Sequence, residues 1–208
     1  MKKLLHIIAT PRMDESRTLK VANLFLKAFK TKHPGWSIED LNLYKEELPE
    51  LTVKRIDGKY VLLVGKELPE DLKEPWQDII ATIERFLSAD IYLISTPMWN
   101  FNIPYRLKHY IDIILQPKYL FQYTPQGPEG LVKNKKMVII TSRGGDYSTA
   151  DTRGFDLQEP YLRTIFSFVG ITDITFINAQ PMDAMGDEVQ HQKIEEAQRV
   201  AQEVAEKL

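Results

Sequence analysis

Short apolar runs alternate with segments of helical periodicity along most of this chain, and this alternation narrows the choice of folds more than any other feature. The apolar runs cover residues 4–9, 37–43, 90–95, 136–141 and 173–177. Helical patterns cover residues 16–30, 75–87, 105–115, 156–168 and 190–208. Strands of a parallel sheet are buried on both faces, so they appear as near-continuous apolar runs between helices. The pattern predicts an α/β fold, a doubly wound five-stranded parallel sheet with helices on both faces.

Length and composition indicate the number of domains and exclude several classes of partner and chemistry. The chain has 208 residues, which is compatible with a single domain over residues 1–208. The net charge of -2 gives no reason to expect nucleic acid or an anionic membrane as a partner. There is no cysteine, which excludes disulfides and thiolate chemistry and is typical of a cytoplasmic enzyme. No apolar run approaches the ~20 residues of a membrane-spanning helix.

Two segments interrupt the alternation. Residues 44–71 are long and charged but contain the apolar run Val61–Val64, which favours a short helix or a hairpin of their own. Residues 116–135 contain several prolines and glycines and are predicted to form a long irregular loop. Loops of that length in a compact domain are usually functional.

The loop after the first strand has the chemistry of a phosphate site. Thr10, Ser16, Arg17 and Thr18 place hydroxyls and a cation where a helix begins, and backbone N–H groups are free at helix N-termini. The alternative is that Ser16 or Asp14 only caps the helix. The loop has no glycine, so it is neither a Rossmann fingerprint nor a P-loop, and a mononucleotide fits better than a dinucleotide.

The loop after the third strand is rich in aromatic and amide side chains and lies between two prolines. Proline rigidifies such a segment, so its backbone amides can meet the edge of a flat heteroaromatic ring while its side chains cover the ring face. The alternative is that the aromatic residues only pack into the core. The candidate residues are Pro97, Met98, Trp99, Asn100 and Phe101.

A third unusual loop follows the fourth strand. Gly144 and Gly145 allow a tight turn and a close approach of backbone to a ligand. Taken alone, this loop is better interpreted as an ordinary turn. Ligands of open parallel sheets bind at the carboxyl ends of the strands, so this loop is expected to face the other two. Its candidate residues are Ser142, Arg143, Gly144, Gly145 and Tyr147.

Together these loops resemble the FMN-dependent NADH-azoreductases, which are flavodoxin-like NAD(P)H:quinone oxidoreductases. The similarity covers nearly the whole chain, and residues 97–104, Pro-Met-Trp-Asn-Phe-Asn-Ile-Pro, are its most specific motif. It continues in residues 121–124, Phe-Gln-Tyr-Thr, and in residues 168–171, Phe-Val-Gly-Ile. Thr10 and Trp99 depart from the serine and tyrosine that are common in the family.

The resemblance implies a flavodoxin-like fold, bound FMN, and NADH or NADPH as electron donor. It implies ping-pong, two-electron reduction of quinones and azo compounds, with the chemistry carried by the flavin, no catalytic side chain and no metal. The first loop would hold the phosphate, and the second and third loops would line the flavin ring. Family members are homodimers with acceptor sites between subunits, so Phe121 and Tyr123 are expected in a shared pocket, with Tyr147 beside the substrate.

Other classes of function stay open on the sequence alone. A flavodoxin-like carrier of single electrons, or a flavin-binding sensor without turnover, would have the same cofactor residues. Carriers are usually shorter and strongly acidic, which favours the enzyme. His6 lies within the first strand and is expected to be a hydrogen-bonded core residue, and His109 is expected to be structural.

Overall fold

The apolar runs form one parallel sheet in the computed structural model, which describes residues 1–208. Its strands are β1 (Lys3–Ile8), β2 (Ser37–Asn42), β3 (Ile91–Pro97), β6 (Lys136–Ser142) and β7 (Asp173–Ala179). Two further strands, β4 (Phe121–Thr124) and β5 (Gly127–Gly130), form a separate hairpin. The sheet order is β2-β1-β3-β6-β7 with every neighbouring pair parallel. Numbered within the sheet alone, this is the 2-1-3-4-5 order of flavodoxin-like folds, so the predicted fold class is confirmed.

Six helices cover the two faces of this sheet. They are α1 (Arg17–Lys32), α2 (Val53–Leu63), α3 (Glu70–Leu87), α4 (Tyr105–Ile114), α5 (Gln158–Phe168) and α6 (Gly186–Lys207). α1 and α6 pack together on one face, and α2 to α5 contribute to the core on the other. None of the six combines the length and the apolar composition needed to cross a membrane.

The side chains of the central strands alternate between the two cores. In β1, Leu5 and Ile7 face the core beneath α3 and α4, whereas Leu4 and Ile8 face the core beneath α1 and α6. β3 and β6 alternate in the same way because successive strand residues point to opposite faces. Burial of each such aliphatic side chain contributes about 1.5–3 kcal/mol. Both helical layers are thereby attached to the same three strands.

The structure corrects three sequence-based boundaries. The helix expected to start at Pro75 begins at Glu70, so the proline lies inside it; the acidic first turn, Glu70 and Asp71, is the start signal. The last helix begins at Gly186 rather than Gln190. Residues 116–135 are not irregular throughout, because β4 and β5 pair across a turn at Thr124–Gly127. These strands have only four residues each and include Pro128, which hid them in the sequence.

Residues 44–71 contain a short helix, α2, rather than a hairpin, and a close packing contact stabilises it. In α2, Gly58 lies against the fully buried Trp76 of α3, whose indole N–H donates to the Arg55 carbonyl at 3.1 Å. A Cβ on Gly58 would lie 2.1 Å from the Trp76 Nε1. Glycine is therefore required here by the close approach of the indole.

We expect Gly58→Ala to destabilise the protein by about 1–2 kcal/mol in urea unfolding. Overpacking against a fixed indole costs about 2–3 kcal/mol, and the better helix propensity of alanine offsets only about 1 kcal/mol of that. The matched control is Gly35→Ala, where a Cβ would meet nothing within 4 Å. Equal stability of the two variants would contradict the packing argument.

Candidate functional site

Loops from four strands of the sheet enclose a cavity of about 190 Å³ at its carboxyl edge. Three of them are the loops singled out from the sequence, after β1, β3 and β6, and the fourth follows β7. The lining residues are Thr10, Arg12, Ser16, Arg17, Pro97, Met98, Trp99, Ser142, Arg143, Gly144, Met182 and Asp183. Nine of these twelve were expected; Arg12, Met182 and Asp183 were not.

One end of the cavity is formed by the start of α1. Ser16 is the N-cap, and its hydroxyl accepts the Leu19 N–H at 3.3 Å while also lining the cavity. The next two backbone N–H groups, of Arg17 and Thr18, have no partner in the chain. Thr18 is fully buried, its hydroxyl bonds to the Ser142 hydroxyl at 2.7 Å, and it does not itself line the cavity. The free N–H of Arg17, at a helix N-terminus that lines the cavity, favours an anion.

The three arginines around the cavity differ in what they already bind. Arg143 turns away, with its side chain 2% exposed and its Nη1 at 2.8 Å from the Asp156 carboxylate. Arg17 donates to Asp183 at 2.6 Å. Arg12 makes no ion pair and lines the cavity. Both arginines predicted at the site, Arg17 and Arg143, are therefore already in ion pairs. The arginine without an ion pair, Arg12, was not among the predicted site residues.

The loop after β3 is a strained two-residue turn. Trp99 and Asn102 exchange backbone hydrogen bonds at 2.9 and 3.0 Å, and the residues between them, Asn100 and Phe101, have φ of 48° and 68°. Positive φ at both positions is what a type I′ turn requires, but a bulky side chain such as phenylalanine rarely adopts it. The N–H groups of Asn100 and Phe101 have no partner in the chain. The turn therefore presents free donors next to the cavity.

The side chains of this loop divide between two regions. Pro97, Met98 and Trp99 line the cavity, and the Met98 N–H is tied to the Ser142 carbonyl at 2.9 Å. Asn100 belongs instead to an adjoining hollow of about 440 Å³, which shares Trp99 with the cavity. Phe101 packs against Phe155, with ring centroids 5.5 Å apart.

The loop after β6 is bound to the loop after β7. The Gly144 carbonyl accepts the N–H groups of Met182, Asp183 and Ala184 at 3.0–3.2 Å. The N–H groups of Gly144 and Gly145 have no partner in the chain. Gly144 lines the cavity, whereas Gly145 does not. Met182 and Asp183 were missed because only three loops had been considered. The fifth strand ends at the same edge, and that was the available signal.

The expected substrate residues are spread over the molecule. Tyr147 packs edge-to-face on Phe101 at 6.3 Å, close to the loop after β3. Phe121 and Tyr123 lie on the β4–β5 hairpin, which contacts the end of α5 near the amino edge of the sheet. Phe121 is buried there and Tyr123 is exposed. Within one chain the hairpin does not reach the cavity.

A second polar cluster lies within the sheet. The buried His6 ring bonds to the Asp40 carboxylate at 2.9 Å and to the Ser95 hydroxyl at 2.8 Å, and its hydrogen bond is the main cause that lowers the pKa of Asp40. The order Ser-His-Asp resembles a hydrolase triad, but Ser95 is completely buried, with no surface open to a substrate. His6 is thus a hydrogen-bonded core residue, as expected, and His109 bonds to the Pro49 carbonyl at 3.0 Å.

The strand order and the cavity at the carboxyl edge define a flavodoxin-like α/β protein. A family model described as flavodoxin-like fold matches residues 2–205. An FMN-dependent NADH:quinone oxidoreductase of Nitratidesulfovibrio vulgaris is 35% identical over 208 residues, covering 98% of this chain and 100% of the relative.

Two solved structures extend the comparison. The azoreductase of Bacillus anthracis str. Sterne superimposes with a TM-score of 0.90 at 30% identity, over 100% of both chains. The FMN-dependent NADH-azoreductase of Bacillus anthracis str. Ames Ancestor, in complex with FMN, gives a TM-score of 0.84 at 31% identity, over 99% of this chain and 100% of that one. This chain therefore belongs to the flavodoxin-like family that contains these oxidoreductases and azoreductases, and the resemblance drawn from its motifs is confirmed.

Tyr44 supports the Trp99 side of the cavity from behind. Its ring packs edge-on against Trp99 at 6.4 Å and against Tyr105 at 6.2 Å. The Tyr44 hydroxyl is buried without a hydrogen-bond partner, and burial, with Tyr105 nearby, raises the pKa of Tyr44 to about 12. The hydroxyl weakens the fold, since a buried polar group without a partner is unfavourable.

We expect Tyr44→Phe to be at least as stable as the wild type at neutral pH and clearly more stable above pH 10. The unfolded chain ionises Tyr44 near pH 10, whereas the folded chain does so near 12. Wild-type stability therefore falls across that window, and the variant lacks this loss. Chemical unfolding at stepped alkaline pH measures the difference. The exposed Tyr60→Phe is the control and should follow the wild type; a Tyr44→Phe curve parallel to wild type would refute the assignment.

Proposed function

We propose that this protein is an FMN-dependent NADH:quinone oxidoreductase that also reduces azo compounds. The observation that carries the proposal is the cavity itself, where hydroxyls, unpaired N–H groups and a free arginine at one end meet Met98 and Trp99 at the other. Membership of a family whose named relatives are FMN-dependent NADH:quinone oxidoreductases and azoreductases supports it.

The donor set of the cavity fits FMN. A phosphate needs several donors and a positive charge, and the unpaired Arg17 N–H and the Thr10 and Ser16 hydroxyls, with Arg12, supply both. A flavin ring needs apolar contact on its face and hydrogen bonds along its polar edge. Pro97, Met98 and Trp99 offer the first and the free N–H groups of Gly144 and Gly145 the second.

Bound FMN would supply the redox chemistry, taking two electrons from the nicotinamide donor and passing them to the acceptor in a ping-pong sequence. The chain supplies position and electrostatics. Arg12 and the start of α1 would hold the phosphate, and the Gly144 and Gly145 N–H groups would stabilise negative charge on the reduced cofactor. Met98 and Trp99 would exclude water from one ring face.

The acceptor is expected to bind on the open side, next to Trp99. The adjoining hollow of about 440 Å³ is lined by Trp99, Tyr105 and Tyr161 together with amide groups of Asn100 and Asn102. Aromatic faces suit flat quinones and azo arenes. Tyr147 and Phe101 contact each other outside this hollow, and Tyr147 lines a separate one together with Arg143.

We further propose that the protein acts as a homodimer with a shared acceptor site. Large apolar side chains stand exposed beside the cavity, including Tyr105 at 67% and Leu157 at 54%, and such patches mark interaction surfaces. The hairpin of a second copy would bring Tyr123 to this region, with the buried Phe121 packed edge-to-face on it at 5.9 Å. In this arrangement Tyr123 would contribute to the acceptor site of the partner subunit, although it lies far from the cavity of its own chain.

The remaining proposals concern organisation and location. Residues 1–208 are proposed to act as one domain, since one sheet organises both cores. The cytoplasm is proposed as the site of action because NADH is available there. A single-electron carrier or a sensor without turnover is not favoured, as the relatives are named as oxidoreductases.

The proposed activity predicts that the purified protein is yellow or becomes so with FMN. NADH added without oxygen should bleach the flavin absorbance within the mixing time of a catalytic assay, and a quinone should restore it. Bound flavin that NADH does not bleach would indicate a carrier or sensor. A protein that stays colourless with FMN would contradict both the proposed cofactor and the proposed reaction.

The proposed dimer predicts a mass of about twice 24.1 kDa in sedimentation. Leu157→Glu should weaken the dimer by about a hundredfold or more, because burying an unpaired carboxylate costs several kcal/mol. Val53→Glu makes the same change at an exposed residue of α2 and should leave the dimer intact. A monomeric wild type, or equal effects of the two variants, would contradict this interface.

A further inference from the structure

An ion pair joins two residues of the cavity wall that are far apart in the sequence. Arg17, the first residue of α1, donates through Nη1 to the Asp183 carboxylate at 2.6 Å, and both residues line the cavity. They are separated by 166 positions in sequence. The pair therefore joins the loop after β1 to the loop after β7 at the place proposed for the cofactor phosphate.

The fold holds Asp183 in this position. Its N–H donates to the Gly144 carbonyl at 3.0 Å, and the preceding Met182 is buried. A Cβ on Gly144 would lie 3.1 Å from Asp183 Oδ2, so the glycine leaves room for the carboxylate above the loop. The carboxylate is 63% exposed, but its backbone is fixed. A negative charge is thus built into the wall of an anion site.

The Asp183 carboxylate reduces the number of unpaired arginines that a phosphate can bind in the cavity. Arg143 is already neutralised by Asp156 at 2.8 Å and Glu159 at 3.7 Å, and Arg17 is neutralised by Asp183. Arg12 is the one lining arginine without an ion pair. An incoming phosphate must therefore displace a carboxylate from Arg17 before it gains that cation.

We propose that Asp183 competes with the cofactor phosphate for Arg17 and thereby sets the affinity of the site for phosphorylated flavin. This inference rests on the proposed function, since it assumes that FMN binds in this cavity. The carboxylate acts only on ligands that carry the phosphate. Asp183 is accordingly a specificity determinant that weakens FMN binding while leaving binding of the flavin ring unchanged.

The test compares FMN and riboflavin binding to the full chain, freed of flavin by dialysis. Dissociation constants are measured by flavin fluorescence in low salt. Asp183→Asn should tighten FMN binding by about three- to tenfold, the range for removing one partly screened charge beside a phosphate. Riboflavin binding should change by less than about twofold. The gain for FMN should shrink at high salt because screening weakens exposed charges.

Matched variants separate competition from other effects. Asp183→Glu keeps the charge and should bind FMN like the wild type. Asp78→Asn makes the same substitution in the Arg55–Asp78 ion pair, whose atoms lie 3.0 Å apart outside the cavity, and should have no effect. In an Arg17→Gln background, Asp183→Asn should lose most of its gain, since the contested cation is gone.

The outcomes distinguish the two proposals. A wild type that binds neither flavin overturns the proposed function and this inference with it. If the wild type binds FMN and Asp183→Asn binds it no more tightly, only the role of Asp183 is overturned. An equal gain with and without Arg17 would show simple repulsion and overturn the competition. Circular dichroism of each variant verifies the fold.

Discussion

The structure depends on the parallel pairing of β1, β3 and β6 between two helical layers. Because all three strands run in the same direction, their carboxyl ends lie at one edge, and the loops that follow them meet there. The neighbouring β7 adds a fourth loop. Burial of both sheet faces leaves this edge as the place where backbone N–H groups and hydroxyls remain free for a ligand. The cavity is thus a consequence of strand direction before any side chain is considered.

Most of the fold could be predicted from the sequence because burial leaves a direct periodic signal. The run Leu4–Ile8 is apolar because Leu4 and Ile8 enter one core while Leu5 and Ile7 enter the other. The hairpin β4–β5 left no such signal, since its strands are short and contain Pro128. The start of α3 was misplaced because Pro75 is typical of a first turn, yet it is tolerated inside this helix.

The loops that form the candidate site could be predicted from the sequence, but the directions of their side chains could not. Thr18 and Arg143 belong to the right loops, yet the Thr18 hydroxyl turns to Ser142 and the Arg143 guanidinium turns to Asp156. Sequence patterns locate a backbone segment relative to a sheet edge. They do not indicate which way a side chain points, since that depends on partners distant in sequence, such as Asp183 for Arg17.

The turn at Asn100 and Phe101 shows how backbone N–H groups are kept free of partners within the chain. Positive φ at a bulky residue costs of order 1–3 kcal/mol and persists only where surrounding contacts over-determine it. Those contacts are present: the Phe101 carbonyl accepts the Leu157 N–H at 3.0 Å, and Gln158 donates to the Pro97 carbonyl at 2.9 Å. A glycine at residue 101 would relieve the strain but would also let the turn relax. The strained turn keeps the N–H groups of Asn100 and Phe101 without partners in the chain, and contacts from the loop before α5 maintain it.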